Sequence, residues 1–396
     1  MSGQVYILEG ARTPFGGFGQ SFAKMNATEL GLASAKEALR RAGAEAGEID
    51  NVIYGNVIQS HANAAYTARH IALRAGIPME VPAMLVNRLC GSGMQAIISA
   101  AQSIRLGESG LALAGGTENM SQSPHADFVS RFGGVKLGAI QLEDMLMSTL
   151  TDSYIGCGMG VTAENLADRY GITREQQDEY AVSSHSRAAA ATASGVLAEE
   201  IVPVEVTGRG GNTEVRQDEL IRADSSVEKL ARLKPAFRKD GSVTAGNSSG
   251  INDGSASLVL AGESSLRGRK PLARIVAWGI AGVDPNVMGI GPVPAARMAL
   301  DRSGLSIADM DLVEINEAFA VQYLAVEKEL ELDRNKTNIN GGAIAIGHPV
   351  GASGARVALT LAYELRRRNL RYGLAALCVG GGQGVAMVLE CDPGSR

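Results

Sequence analysis

The chain has 396 residues, 45% of them hydrophobic and 20% charged, with 49 glycines, four cysteines and a formal net charge of −5. That length buries cores in two domains without needing disulfides or a structural metal, and the apolar fraction excludes disorder. Acids and bases are interspersed, which excludes a general nucleic-acid or membrane-binding surface, and no apolar run is long enough to span a bilayer.

The cysteines, Cys90, Cys157, Cys378 and Cys391, are far apart and form no C-x-x-C pair, and no early apolar segment resembles a signal peptide. Free thiols in a reducing compartment are expected, cytoplasmic by default or the mitochondrial matrix if the source is eukaryotic.

In chain order, "VYILEG" predicts a first strand, Glu29 to Arg41 a helix, "NVIYGNVI" a second strand and "LALAGG" a third, with an apolar helix between the last two starting near Cys90. Ser121 to about Thr244 departs from this alternation. It holds a polar helix ("TREQQDEYAVSSHSRAAAATASG"), a short strand ("IVPVEV"), a glycine turn and a basic stretch, and reads as an insertion. "GSASLVLAGE" returns to strand character, and from Pro271 onward "LVEIN" and "YGLAALCVGGG" predict further strands.

The second half repeats the first. "AKEALRRAGAEAGEIDNVIYGN" (Ala35 to Asn56) matches "ARMALDRSGLSIADMDLVEINE" (Ala296 to Glu317) without a gap, at an offset of 261 residues. The same offset puts Ser92-Gly93 on Ser353-Gly354; "LALAGG" then aligns with "AALCVGG" after a few extra residues. A repeat of this length is a domain. The chain therefore divides into an N-terminal half (1–120 plus 245–270), an inserted loop domain (121–244) and a C-terminal half (271–396).

Chemistry gathers at glycine turns. Cys90 precedes "GSG" at the expected start of a buried helix, whose unpaired N–H groups and dipole would favour a thiolate and hold an oxyanion. Gly91 and Gly93 would leave the backbone bare for an approaching thioester. His348 lies in "GGAIAIGHPVGASGAR", just before the turn that the repeat places opposite Cys90, so that a base would face a nucleophile if the halves pack about a twofold axis. Cys378 ends a strand and runs into "VGGGQG", where an α/β sheet places its sites. Asn316 in "NEAFA" either orients a carbonyl or water or caps a helix. A buried structural cysteine remains an equal reading of Cys90 taken alone.

In this order, "NRLCGSGMQA", "NEAFA", "GGAIAIGHPVGASGAR" and "CVGGGQG", with "RTPFG", "GGTENMS", "MGVTAENLA" and "TAGNSSGINDG", resemble the thiolase family of acyl-CoA:acetyl-CoA C-acyltransferases. The similarity runs almost the full chain and is nearest the mitochondrial-type 3-ketoacyl-CoA thiolases and their bacterial relatives. It implies an α/β fold of two duplicated halves in a five-layered αβαβα arrangement with an inserted loop domain. It implies Cys90 as acyl-carrying nucleophile, His348 as its base and Cys378 as a second acid/base. Asn316 would hold a water that forms one oxyanion hole with His348, and the N–H groups of Cys90 and Gly380 would form the other.

By the same resemblance, Ser249 would touch pantetheine and Arg222 the adenine end of coenzyme A, while Met159, Leu150, Phe237 and Phe319 would line the acyl or pantetheine pocket. Coenzyme A is then a substrate with acetyl-CoA and acyl-CoA, no cofactor or metal is required, and a homotetramer of two dimers is expected, with "HADFVSRFGGVKLG" a candidate contact. Lys229, Arg232, Lys234, Arg238 and Lys239 offer charge to a phosphate, or form a solvated face. One departure stands out: many acetoacetyl-CoA thiolases carry a histidine where this chain has Gly158, which puts strict acetoacetyl-CoA specificity in doubt. A 3-ketoacyl synthase acting on carrier-protein thioesters, a Cys-His-Asn hydrolase and a non-enzymatic scaffold are the competing readings.

Overall fold

The structure, a computed structural model, describes residues 3–208 and 211–392. The elements that build the frame are β1 (Val5–Arg12), α1 (Ala27–Ala42), β2 (Asn51–Gly55), β3 (Ala83–Val86), α2 (Ser92–Arg105) and β4 (Leu111–Asn119). The insertion adds α3 (Met159–Tyr170) and α4 (Arg174–Ala193). The chain then continues through β5 (Asn252–Gly262), β6 (Ala273–Gly282), α5 (Pro292–Ser303), β7 (Leu312–Ile315), α6 (Ala320–Leu330), α7 (Val350–Arg368), β8 (Tyr372–Val379) and β9 (Gln383–Glu390).

Hydrogen bonding follows one path, β7-β8-β9-β6-β1-β5-β4-β2-β3. The two halves of this path join where Val5–Ile7 of β1 pairs antiparallel with Ala273–Ile275 of β6. Each half repeats the other. β2 runs parallel to β4 and β7 parallel to β8, while β5 and β9 return antiparallel. Val52 bridges in parallel to Ala83, and Val313 does the same to Thr337.

One detail of the repeat is corrected. Val52 faces Leu113 in β4 and Val313 faces Leu374 in β8, so the offset of 261 continues through these strands with no extra residues. Gly115-Gly116 therefore corresponds to Ala376-Leu377, not to the glycines after Cys378. Matching Gly-rich strings had favoured a shifted alignment; a strand pair cannot shift without exchanging its buried and outer faces.

Alternating strand residues face two directions and produce the five layers. Ala112, Ala114, Leu258, Leu260, Ala375, Leu377, Val385 and Met387 pack with α2 and α7 in the middle. Leu111, Leu113 and Val259 turn toward α1, and Leu374, Ala376 and Val388 toward α5 and α6. This α/β arrangement is the expected five-layered αβαβα. Helix α1 begins at a capping box formed by Asn26 and Glu29, and it ends at Gly43 with φ +55; its counterpart α5 ends at Gly304 with φ +71.

The insertion is anchored by buried charge and stacked rings. The fully buried Arg12 in β1 reaches Glu200 at 2.6 Å and Asp218 at 2.7 Å. On α4, which starts at a capping box on Thr173, Tyr180 stacks on Tyr323 with ring centroids 4.0 Å apart. By contrast, Phe128, Phe132, Leu137 and Ile140 are exposed. Among the described residues no helix is long and apolar enough to cross a membrane.

Candidate active site

Between β3 and α2 the chain makes a tight, polar-braced turn. Leu89 adopts φ +45, a left-handed conformation unusual for a bulky residue. Asn87 Oδ1 accepts from the Leu89 N–H at 2.9 Å, and Ser92 Oγ accepts from Arg88 N at 2.8 Å while donating to Leu89 O at 2.7 Å. These bonds set Cys90 one residue ahead of the helix N-cap, Gly91.

The N–H groups of Cys90 and Gly380 face the Cys90 sulfur and pull its pKa down. Burial nevertheless pushes the thiol up to about 11, and the charge of Glu118 adds to the rise. Dehydration thus outweighs the pull of the helix terminus toward the thiolate. The role expected for the glycines changes. A Cβ at Gly91 would sit 2.9 Å from Val379 Cγ2, and one at Gly93 would sit 2.7 Å from Ala355 N, so both positions serve packing inside the fold.

His348 is fixed from two sides. Its backbone N–H donates to Asn252 Oδ1 at 2.9 Å, and its Nδ1 lies 2.6 Å from Ser353 Oγ. The Ser353 hydroxyl donates to Pro349 O at 2.9 Å, so it accepts from Nδ1–H and leaves the Nε2 lone pair open. Burial and the nearby Arg356 cation bring the imidazole down to about 3, which keeps it neutral and able to accept a proton.

Asn316 follows β7 and does not cap a helix, since α6 has Phe319 as its N-cap. Its Nδ2 lies 3.4 and 3.5 Å from the two ring nitrogens of His348, favouring neither, and its Oδ1 is 3.5 Å from Arg356 Nη2. The two turns meet around Glu118 and Val350. Glu118 accepts from Gly351 N at the start of α7 at 3.0 Å, and Val350 packs in the apolar cluster that Cys90 and Leu150 border.

Cys378, fully buried at the end of β8, feels the charge of Cys90; burial first, then that charge, hold it far above the ordinary thiol range. It packs in one cluster with Ala318, Phe319 and Met288, bordered by Met159. A Cβ on Gly380 would lie 3.0 Å from Leu89 Cδ1 and 3.6 Å from Met159 Sδ. Both sulfurs and the Gly380 amide thus share one neighbourhood.

The other expected residues extend from there. Met159 N donates to Leu150 O at 2.9 Å. Phe237 lies against Gly160 and meets Phe319 edge-to-face, with centroids 5.9 Å apart. Ser249 donates to Ala318 O through both N and Oγ, each at 3.0 Å. Arg222 is exposed, its N–H held by His185 Nδ1 at 3.2 Å. Of the basic cluster, Lys229 pairs with Asp224 and Arg238 with Asp168, while Arg232, Lys234 and Lys239 are exposed. Gly158 has room beside it, since the nearest atoms to a Cβ there are 3.5 and 3.9 Å away.

Four supporting residues were not expected from sequence: Glu118, Asn252, Ser353 and Arg356. Glu118 could have been suspected as an acid closing the apolar strand "LALAGGTE", since it is completely buried and accepts from Asn56 Nδ2, Val57 N, Ile58 N and Gly351 N at 3.0–3.1 Å. Among the described residues no group of three or more His, Cys, Asp or Glu is arranged to hold a metal ion.

Comparison with known proteins agrees in extent and in fold. The thiolase N-terminal domain model matches residues 5–264 and the thiolase C-terminal domain model residues 269–391. The chain is 48% identical to the human mitochondrial 3-ketoacyl-CoA thiolase and 50% identical to an acetyl-CoA acetyltransferase of Rhizobium meliloti, in both cases over 98% of each chain. The crystal structure of the human mitochondrial 3-ketoacyl-CoA thiolase in complex with CoA superposes with a TM-score of 0.95 at 47% identity, covering 98% of each chain.

Proposed function

Since the chain belongs to the thiolase family, we propose that Cys90, His348, Cys378, Asn316 and Gly380 carry out reversible thiolysis of 3-ketoacyl-CoA, and in reverse the Claisen condensation of acetyl-CoA with an acyl group. The observation that carries this assignment is that Cys90, the Gly380 turn and Cys378 meet: Leu89, next to Cys90, lies 3.0 Å from the Cβ position of Gly380, and Met159, 3.6 Å from that position, borders the cluster that holds Cys378.

In thiolysis, Cys90 Sγ attacks the 3-keto carbonyl carbon as His348 Nε2 takes the thiol proton. The bond between C2 and C3 breaks, its electrons form the enolate of acetyl-CoA, and Cys378 supplies the proton that makes the methyl group. A CoA thiol then gives its proton to the Cys378 thiolate and attacks the acyl–Cys90 thioester, releasing acyl-CoA as the leaving Cys90 sulfur takes back the proton held on His348. The N–H groups of Cys90 and Gly380 receive the tetrahedral oxyanion, while His348 and a water on Asn316 receive the enolate oxygen. Two successive oxyanions call for two sets of donors.

Leu150, Met159, Phe237 and Phe319 form the wall for the acyl chain and pantetheine, Ser249 contacts the pantetheine arm and Arg222 the adenine end. Coenzyme A serves as substrate, with no further cofactor. The exposed apolar segment around Phe132 and Leu137 supports assembly into a homotetramer, and four free cysteines fit a reducing compartment, cytoplasmic or mitochondrial. Incubation with acetyl-CoA followed by peptide mass spectrometry tests the chemistry. One acetyl group on Cys90, lost on adding CoA, is expected; an unmodified Cys90 would overturn the assignment.

A further inference from the structure

The nucleophile and the Gly380 amide above it arise from opposite halves of the chain, so something has to set their separation. Among the described residues no backbone–backbone hydrogen bond runs between the two turns. A side chain does. Arg88 donates from Nη1 to Gln383 Oε1 at 3.0 Å and from Nε to Gln95 Oε1 at 2.9 Å. Gln95, one turn into α2, donates in turn from Nε2 to Ser99 Oγ at 3.0 Å.

This chain of bonds has direction. Ser99 and Gln95 are fixed on a central helix buried between the two sheets, so they set the Arg88 guanidinium before it reaches Gln383. Gln383 opens β9, directly after the Gly380-Gly381-Gly382 turn, and its partner across the sheet is Val379. Leu89, next to Arg88 and held at φ +45, presses its Cδ1 toward Gly380. Arg88 is half-buried and pairs with no carboxylate among the described residues; its Nε and Nη1 donate to two amide oxygens.

We infer that Arg88 is a positioning residue that ties the Cys90 turn to the Gly380 turn through Gln383, setting the place of the Gly380 N–H over the reacting carbonyl. Arg88 touches no reacting atom. Its effect falls on acyl transfer, because a donor displaced by a fraction of an ångström loses transition-state stabilisation while substrate binding on the distant wall persists. This inference rests on the thiolase reading above.

The test is a double-mutant cycle on the rate of Cys90 acetylation by acetyl-CoA, followed by quenched mass spectrometry, with steady-state kcat and KM alongside. R88A and Q383L are each expected to slow acetylation by about tenfold or more with KM little changed. The double variant should be no slower than the slower single one. Q383E, which keeps an acceptor oxygen for Arg88, should stay near the wild-type rate, and this rescue separates positioning from a general loss of structure. Additive losses, unchanged acetylation in R88A, or a Q383E as slow as Q383L would each overturn the inference while the family chemistry stands. A wild-type protein that takes no acetyl group would overturn both.

Discussion

Gly93 and Gly354 occupy equivalent places on the two central helices and meet where those helices cross. A Cβ on Gly354 would stand 2.4 Å from Met94 N, and one on Gly93 2.7 Å from Ala355 N, backbone atoms that cannot turn aside.

Gly354→Ala tests what the crossing contributes. Alanine improves helix propensity by about 1 kcal/mol, but forcing the helices apart costs about 1–3 kcal/mol, and Cys90 sits on the turn leading into α2. The expected outcome is a lower unfolding midpoint in urea together with a lower kcat. A variant as stable and active as the wild type would show that the crossing is loose.

The two reacting sulfurs are separable. Cys90→Ser is expected to abolish both thiolysis and condensation. Cys378→Ala should still accept an acetyl group on Cys90 but lose carbon–carbon bond cleavage by about 100-fold or more. Normal turnover of acetoacetyl-CoA by the Cys378 variant would remove its assigned acid/base role.

His348 links stability to pH. Its folded pKa of about 3 lies below the unfolded value, so between these values the unfolded chain binds the extra proton. Its contribution is complete above about pH 6.5 and is lost as pH falls toward 3. The wild type should lose stability on acidification through this window more steeply than His348→Asn, as read from urea midpoints at each pH. His185, brought down to about 4 by burial, has the same sign and is unchanged in both proteins. Equal slopes would contradict a buried neutral imidazole.

The space at Gly158 predicts a change of specificity without a change of fold. With φ −76 and no atom nearer than 3.5 Å to a Cβ, Gly158→His introduces no backbone strain. The imidazole would enter beside Met159, and kcat/KM for longer 3-ketoacyl-CoA substrates should fall on the order of tenfold relative to acetoacetyl-CoA. An unchanged chain-length profile would place the acyl group elsewhere.

Phe132 and Leu137, 95% and 97% exposed in the single chain, are expected to be covered in the proposed tetramer. Phe132→Asp combined with Leu137→Asp should yield a smaller species in sedimentation velocity, with the fold retained by circular dichroism. A wild-type monomer, or an unchanged tetramer in the variant, would rule out this segment as the contact.

The duplicated α/β fold was legible because helices and strands repeat at one offset, a signal that survives wherever hydrophobic period and helix-ending glycines coincide, as at Gly43 and Gly304. The candidate residues stood out because Cys90, His348 and Asn316 sit in turns and Cys378 lies at the end of a strand that runs into a glycine turn. Their support was not legible. Glu118 reaches Gly351 across 233 positions and Asn252 reaches His348 across 96, separations over which no local pattern carries information. The sequence likewise displays the helix start at Cys90 but not the burial that outweighs its pull on the thiol.

The offset of 261 has a further meaning for the reaction centre. It places Gly351 opposite Cys90, Asn87 opposite His348, Gly55 opposite Asn316 and Thr117 opposite Cys378, so each reacting position has a twin that carries none of its chemistry. A twofold frame could house two identical centres; in this one the proposed reactive groups, Cys90 from the first half and Asn316, His348 and Cys378 from the second, have no counterpart of the same kind at the twin positions. Division of labour between copies, rather than any new backbone shape, is what gives one polypeptide a single asymmetric workplace.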